Sequence, residues 1–173
     1  MKKETKQKVF WLLMDLGLAV ILVVLDQLSK RAAIDKLKDK DAFVILKNVF
    51  ELDYLENRGS AFGMFQNQKG FLLIVGVIFM TITFYVLWRT PAKKRFLPIH
   101  LVAACIIAGG IGNMIDRFFL GYVVDFFSFV LIHFPVFNVA DVYIVVSTFV
   151  MAFLLIFVYK EDELSFLWKK QDR

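Results

Sequence analysis

The chain alternates long apolar runs with short charged ones. Val9 to Leu25, Phe71 to Trp88, Phe96 to Asp116 and Val142 to Tyr159 are apolar almost throughout, and Asp15 is the one charged side chain inside the first of them. Each run is long enough as a helix to cross a hydrocarbon core of about 30 Å. A soluble core helix has no reason to be apolar on all sides for that length. The pattern predicts an all-α membrane protein with four transmembrane helices, at about 9–30, 71–88, 96–116 and 142–159. Residues 1–173 then form a single integral membrane domain.

Residues 31–70 break the pattern. Acids and bases are in near balance there, around two short apolar stretches, 42–46 and 49–55. The second alternates apolar and acidic positions, a period of two that predicts strands lying at the membrane surface. The segment closes on Asn57-Arg58-Gly59-Ser60, a turn composition. Residues 117–141, with Gly121, Asp125 and Pro135, read as a loop.

Hydrophobic residues make up 59% of the sequence and charged residues 21%, against averages of roughly 45–50% and 25%. The net charge of +5 does not point to nucleic acid, because the bases cluster between apolar runs. Lys2, Lys3, Lys6 and Lys8 precede the first run, and Arg89, Lys93, Lys94 and Arg95 separate the second from the third. Short basic segments stay on the cytoplasmic side, so both termini are expected there and residues 31–70 and 117–141 face outward. A cleaved leader is disfavoured, because the first run continues into Asp26-Gln27-Leu28-Ser29-Lys30 without a small-residue cleavage site. Cys105 stands alone in an apolar run and reads as packing. His100 and His133 lack zinc-ligand spacing. No metal or other cofactor is expected. The tail from Lys160, four bases mixed with four acids, reads as a solvated end.

With this topology three helices deliver polar groups to one depth. Asp26, Ser29 and Lys30 share a face of the first, Asn113, Asp116 and Arg117 share a face of the third, and Asp141 opens the fourth. Ionisable groups at membrane depth are a functional hypothesis by default. Singly, each has a simpler reading: Asp26–Lys30 as an intrahelical pair, Asp116 and Arg117 as markers of the aqueous boundary, and Asn138 with Asp141 as ordinary helix-start chemistry. Asp125, set in Val123-Val124-Asp125-Phe126-Phe127, has no local partner. Two carboxyls at one interfacial site cannot both ionise cheaply, which makes a general acid and base couple of the aspartic peptidase kind. His-Glu-x-x-His is absent, as are Gly-x-Ser-Gly and Gly-x-Gly-Asp.

Five blocks then carry a resemblance. They are Asp26-Gln27-Leu28-Ser29-Lys30, Asn57-Arg58-Gly59-Ser60-Ala61-Phe62-Gly63, Gly109-Gly110-Ile111-Gly112-Asn113-Met114-Ile115-Asp116-Arg117, Gly121-Tyr122-Val123-Val124-Asp125-Phe126 and Phe137-Asn138-Val139-Ala140-Asp141. In this order the chain resembles the bacterial lipoprotein signal peptidases, or signal peptidase II. The resemblance implies an endopeptidase that removes the signal peptide from diacylglyceryl-modified prolipoproteins, before the lipidated cysteine. It implies Asp125 and Asp141 as the catalytic dyad. Asn57, Gly59, Asn113, Arg117, Asn138 and Ala140 would shape the site, with Asp26, Lys30 and Asp116 in support. It further implies a small extracytoplasmic β-cradle and a short interfacial helix within 31–70, membrane lipid around a monomeric chain in the bacterial cell membrane, and inhibition by globomycin-type cyclic peptides. Departures are small: Ser29 stands where threonine is common, Ser60 where alanine is, and Val142-Tyr143 follows Asp141 where a serine often does.

Two other classes compete. A small transporter or proton-coupled carrier would use the acids and Arg117 to line a path, but the polar groups collect at one depth. A non-catalytic assembly subunit would use the motifs for helix packing.

Overall fold

A computed structural model of the chain describes residues 2–59, 65 and 68–168. Four helices make the bundle: α1 (Lys2–Leu37), α2 (Lys69–Arg89), α3 (Leu97–Phe119) and α4 (Val139–Phe153), the last prolonged by a π-helical turn at Leu154–Val158. Each is long and apolar enough to cross a membrane, and their outward faces are exposed leucine, valine and phenylalanine. Strands β1 (Phe43–Leu46), β2 (Phe50–Asn57) and β3 (Val123–Ser128) form one antiparallel sheet in that order. The sheet caps the end of the bundle where α1 finishes and α4 begins.

α3 is the central helix and packs against the other three. Its small residues explain this, because close helix approach in lipid favours residues with little side chain. Ala103, Ala104 and Ala108 are buried. A Cβ at Gly109 would stand 2.5 Å from the Ala140 carbonyl oxygen and 2.7 Å from Ile144, both on α4. One at Gly110 would meet Met80 of α2 at 3.0 Å, and one at Gly112 would collide with the Asp26 carboxylate of α1.

Three expectations are corrected. Residues 31–37 are helical, so α1 reaches the sheet, where Ala33 packs on Val124 and Phe126. Asp125 lies on a strand and not in a loop: Leu55 pairs with Asp125 and Asn57 with Val123. The β-branched and aromatic residues around Asp125 are strand formers, a signal the single acid in their midst obscured. Of the tail, expected to be a solvated end, Lys160, Glu161 and Asp162 are exposed, but residues 163–168 fold back onto the bundle. Tyr159 and Leu164 are buried with Phe96, Ile99 and Leu154, and Arg95 grips Glu163 at 2.9 and 3.1 Å. Of the segment 31–70, where a short interfacial helix was expected, residues 38–59 form turns and strands, and residues 60–64 and 66–67 lie outside the described residues.

Gly109→Ala is expected to destabilise the protein by about 1–3 kcal/mol, the usual cost of overpacking, because the added methyl meets α4 backbone. Gly17→Ala, where a Cβ has nothing within 4 Å, is the neutral control. Thermal melting of both variants in detergent checks the contrast, and equal melting temperatures would refute the close α3–α4 approach.

Candidate active site

Lys30 is the centre from which the site is built. Its ammonium is buried, 3.0 Å from Asp26 Oδ2, 3.0 Å from Asp116 Oδ2 and 2.9 Å from Asn113 Oδ1. An ammonium has three N–H donors, so these three acceptors use them all. Gln27, passed over as a site residue, closes the group: its Nε2 donates to Asp26 at 3.1 Å, to Asp116 at 3.0 Å and to the Gly112 carbonyl at 3.2 Å. It was visible only as one letter of a longer motif.

The same two acids reach onward. Asp26 Oδ1 accepts from the backbone N–H of Ala140 at 3.0 Å, and Asp116 Oδ2 from that of Val124 at 3.1 Å. Ala140 precedes Asp141 and Val124 precedes Asp125. One buried ion cluster therefore fixes the backbone beside each of two further carboxyls.

Three asparagines then aim at those carboxyls. Asn138 caps α4 in a reciprocal box: its Oδ1 accepts from Asp141 N–H at 3.0 Å, while Asp141 Oδ2 accepts from Asn138 N–H at 3.2 Å. With its oxygen so engaged, Asn138 Nδ2 donates to Asp125 Oδ1 at 2.6 Å and to Asn113 Oδ1 at 3.2 Å. Asn113 Oδ1 is held by Lys30 as well, leaving Asn113 Nδ2 to donate to Asp141 Oδ1 at 2.7 Å. Asn57 Oδ1 takes the N–H of Gly59 at 2.9 Å, so its Nδ2 donates to Asp125 Oδ2 at 2.8 Å. Each amide has its oxygen pinned by a donor, and its NH2 must face a carboxylate. Arg117 reaches across to the Gly59 carbonyl at 3.1 Å, tying the bend after β2 to α3.

The structure thus brings Asp26, Lys30, Asn57, Gly59, Asn113, Asp116, Arg117, Asp125, Asn138, Ala140 and Asp141 into one bonded group. Beside it opens a cavity of about 270 Å³. Polar Asn57, Asn113, Arg117 and Asp141 line it together with apolar Phe134, Phe137, Val142, Val145 and Val146. Asp125 is wholly buried; burial and then the neighbouring charge of Asp141 push its carboxyl up to about 7, against the pull of the Asn57 and Asn138 amides. Among the described residues no cluster of His, Cys, Asp and Glu could hold a metal.

A second buried pair lies far from this group. His100 Nδ1 is 2.7 Å from Asp15 Oδ2, and both side chains are buried. At 1.5 Å per residue, His100 and Asn113 are about 20 Å apart along α3, and buried Ala103, Ile106 and Ala108 lie between. Ionisable groups therefore occur at two depths, where one was expected.

Comparison with known proteins points one way. The family model described as Signal peptidase (SPase) II matches residues 18–157. The lipoprotein signal peptidase of Clostridioides difficile (strain 630) is 41% identical, over 80% of this chain and 91% of its own. That of Caldanaerobacter subterraneus subsp. tengcongensis is 39% identical, over 83% and 97%. A bacterial membrane enzyme solved by the in meso method at 2.3 Å resolution superposes with a TM-score of 0.74 at 25% identity, covering 86% of this chain and 92% of that one.

A carboxyl raised in the folded state makes stability fall as pH rises. Well below pH 3.8, Asp125 is protonated both folded and unfolded. The unfolded chain ionises first, near 3.8, and the folded one only near 7. Across that window this group removes about 4 kcal/mol of stability, and the loss levels off above it. Asp125→Asn is expected to lack this slope, so its melting temperature should gain on the parent's between pH 4 and pH 8. A constant gap between the two would contradict the burial of an ionisable group at this position.

Proposed function

We propose, because the chain belongs to the signal peptidase II family, that it removes signal peptides from prolipoproteins as an aspartic endopeptidase with Asp125 and Asp141 as its catalytic pair. The observation that carries the reading is the attachment of both carboxyls to Asn138, beside a cavity lined by both polar and apolar side chains. Asp125, pushed up to about 7, is about half protonated at neutral pH and serves as the acid of the pair. Asp141 stands in the first turn of α4, where the helix terminus favours negative charge.

The chemistry follows. Asp141 takes a proton from water as the water oxygen attacks the scissile carbonyl carbon, and Asp125 gives its proton to the carbonyl oxygen. The tetrahedral intermediate collapses when the carbon–nitrogen bond breaks. The proton gained by Asp141 goes to the leaving amine, and Asp125 recovers its own from the collapsing hydroxyl. The substrate bond is the one before a diacylglyceryl-modified cysteine, whose lipid keeps it at headgroup level. The chain acts as a monomer in the bacterial cell membrane, with both termini cytoplasmic and the sheet outside. Globomycin-type cyclic peptides are expected to occupy the same cavity.

Incubation of the purified protein with a diacylglyceryl-modified precursor, followed on a gel, tests this. Asp125→Asn and Asp141→Asn should each lower kcat by about a thousandfold or more while leaving the melting transition intact. Parent-like cleavage by either variant would remove the pair from the mechanism. The rate constant kcat/KM should also decline as pH rises through about 7, as Asp125 loses its proton; a rate that keeps climbing to pH 9 would assign the acid elsewhere.

A further inference from the structure

Residues 158–168, beyond the point where the family match ends, have a defined place in the fold. On α3, Gly109 faces α4 and Gly110 faces α2. Asn113 and Arg117 occupy the sector between those two directions, given 100° per residue. The cavity beside Asp141 lies in this sector. α2 packs chiefly on α3 and on the tail and makes little contact with α4.

At its far end the sector is closed. Val86 of α2, Val102 of α3, Met151 and Leu154 of α4, and Leu164 and Phe166 of the tail join in one apolar cluster. The tail is tied across it by polar bonds as well. Arg89 donates to the Phe166 carbonyl at 2.7 Å, Tyr85 to the Leu167 carbonyl at 3.1 Å and Arg95 to the Val158 carbonyl at 2.8 Å. The Arg95 guanidinium holds the Glu163 carboxyl down at about 2, so their ion pair persists at neutral pH. The tail is a strap joining the cytoplasmic ends of α2 and α4.

We infer that this strap limits the length of apolar signal-peptide helix that fits under the catalytic pair, and so acts as a specificity element. The inference rests on the function proposed above. From Val102, at the edge of the plug, to Asn113 is about 17 Å, or eleven helical residues at 1.5 Å each. Apolar cores of signal peptides run to about 7–15 residues. Cores near the middle of that range fit between the pair and the strap, and longer ones meet Leu164 and Phe166 or must tilt out between α2 and α4.

Lipid-modified precursors with apolar cores of about 9, 12, 15 and 18 residues test this in the full chain. The parent's kcat/KM should fall about tenfold from the core of about 12 residues to that of about 18. In the double variant Glu163→Ala, Leu164→Ala the same interval should cost about twofold or less. Phe166→Ala, a milder change, serves where the double variant's melting curve shows loss of fold. A folded strap variant with the parent's length profile, or a parent with a flat one, overturns the inference. Failure of the parent to cleave any lipid-modified precursor overturns the proposed function instead.

Discussion

The buried ammonium of Lys30 is the interaction on which the rest depends. A cation taken out of water costs several kcal/mol unless its donors are all met by well-placed acceptors, and here three acceptors meet three donors. The acceptors come from α1 and α3. Through the second oxygens and lone pairs of Asp26 and Asp116, the same charge fixes the start of α4 and the strand β3. Removing the ammonium would leave Asp26 and Asp116 as two buried anions facing each other. Removing either acid would free the backbone beside Asp141 or Asp125. This cluster explains the glycine at 112 as well, since the Asp26 carboxylate occupies the space a Cβ would take.

Above the cluster, the choice of asparagine is chemical. A carboxylate can only accept, so a group that must orient it has to donate, and a group whose own orientation matters needs an acceptor to be pinned by. Asparagine has both. Asn57, Asn113 and Asn138 each spend the oxygen on a structural bond and the NH2 on Asp125 or Asp141. An aspartate at any of the three would lose the donor and add a charge to a site where four carboxyls already face Lys30 and Arg117.

Much of this was legible in the sequence because membrane helices advertise themselves by charge exclusion, and a polar residue within one is conspicuous. Asp26, Lys30, Asn113, Asp116 and Asp141 could be placed at one level by counting residues along three helices. β3 was not legible: Asp125 interrupts its apolar pattern, and strand assignment there depends on pairing with β2, a contact between distant residues. Gln27 was missed because an amide at a helix end is unremarkable until its three acceptors are known. The Asp15–His100 pair was missed because its members are 85 residues apart. For the tail, charge content suggested solvation, while Leu164 and Phe166 decided the packing. The catalytic roles proposed for Asp125 and Asp141 come from resemblance, not from periodicity or spacing; geometry shows how those two carboxyls are held.

The division of labour between bundle and sheet has a physical reason. A helix returns side chains to a given face at intervals of three or four residues, each at a different depth, so the relation of two carboxyls on one helix would be fixed by its pitch. Setting one on the first turn of α4 and the other on β3 lets their relation be set by Asn138, which bonds both. A three-stranded sheet is marginal by itself and needs packing against other structure. β3 gains it from Ala33 on α1, where Val124 and Phe126 are buried, and from the Asp116 carboxylate. The bundle in turn leaves Lys30 and its acids enclosed only when the sheet covers them. Neither part presents the paired carboxyls alone, and the site forms when the two dock.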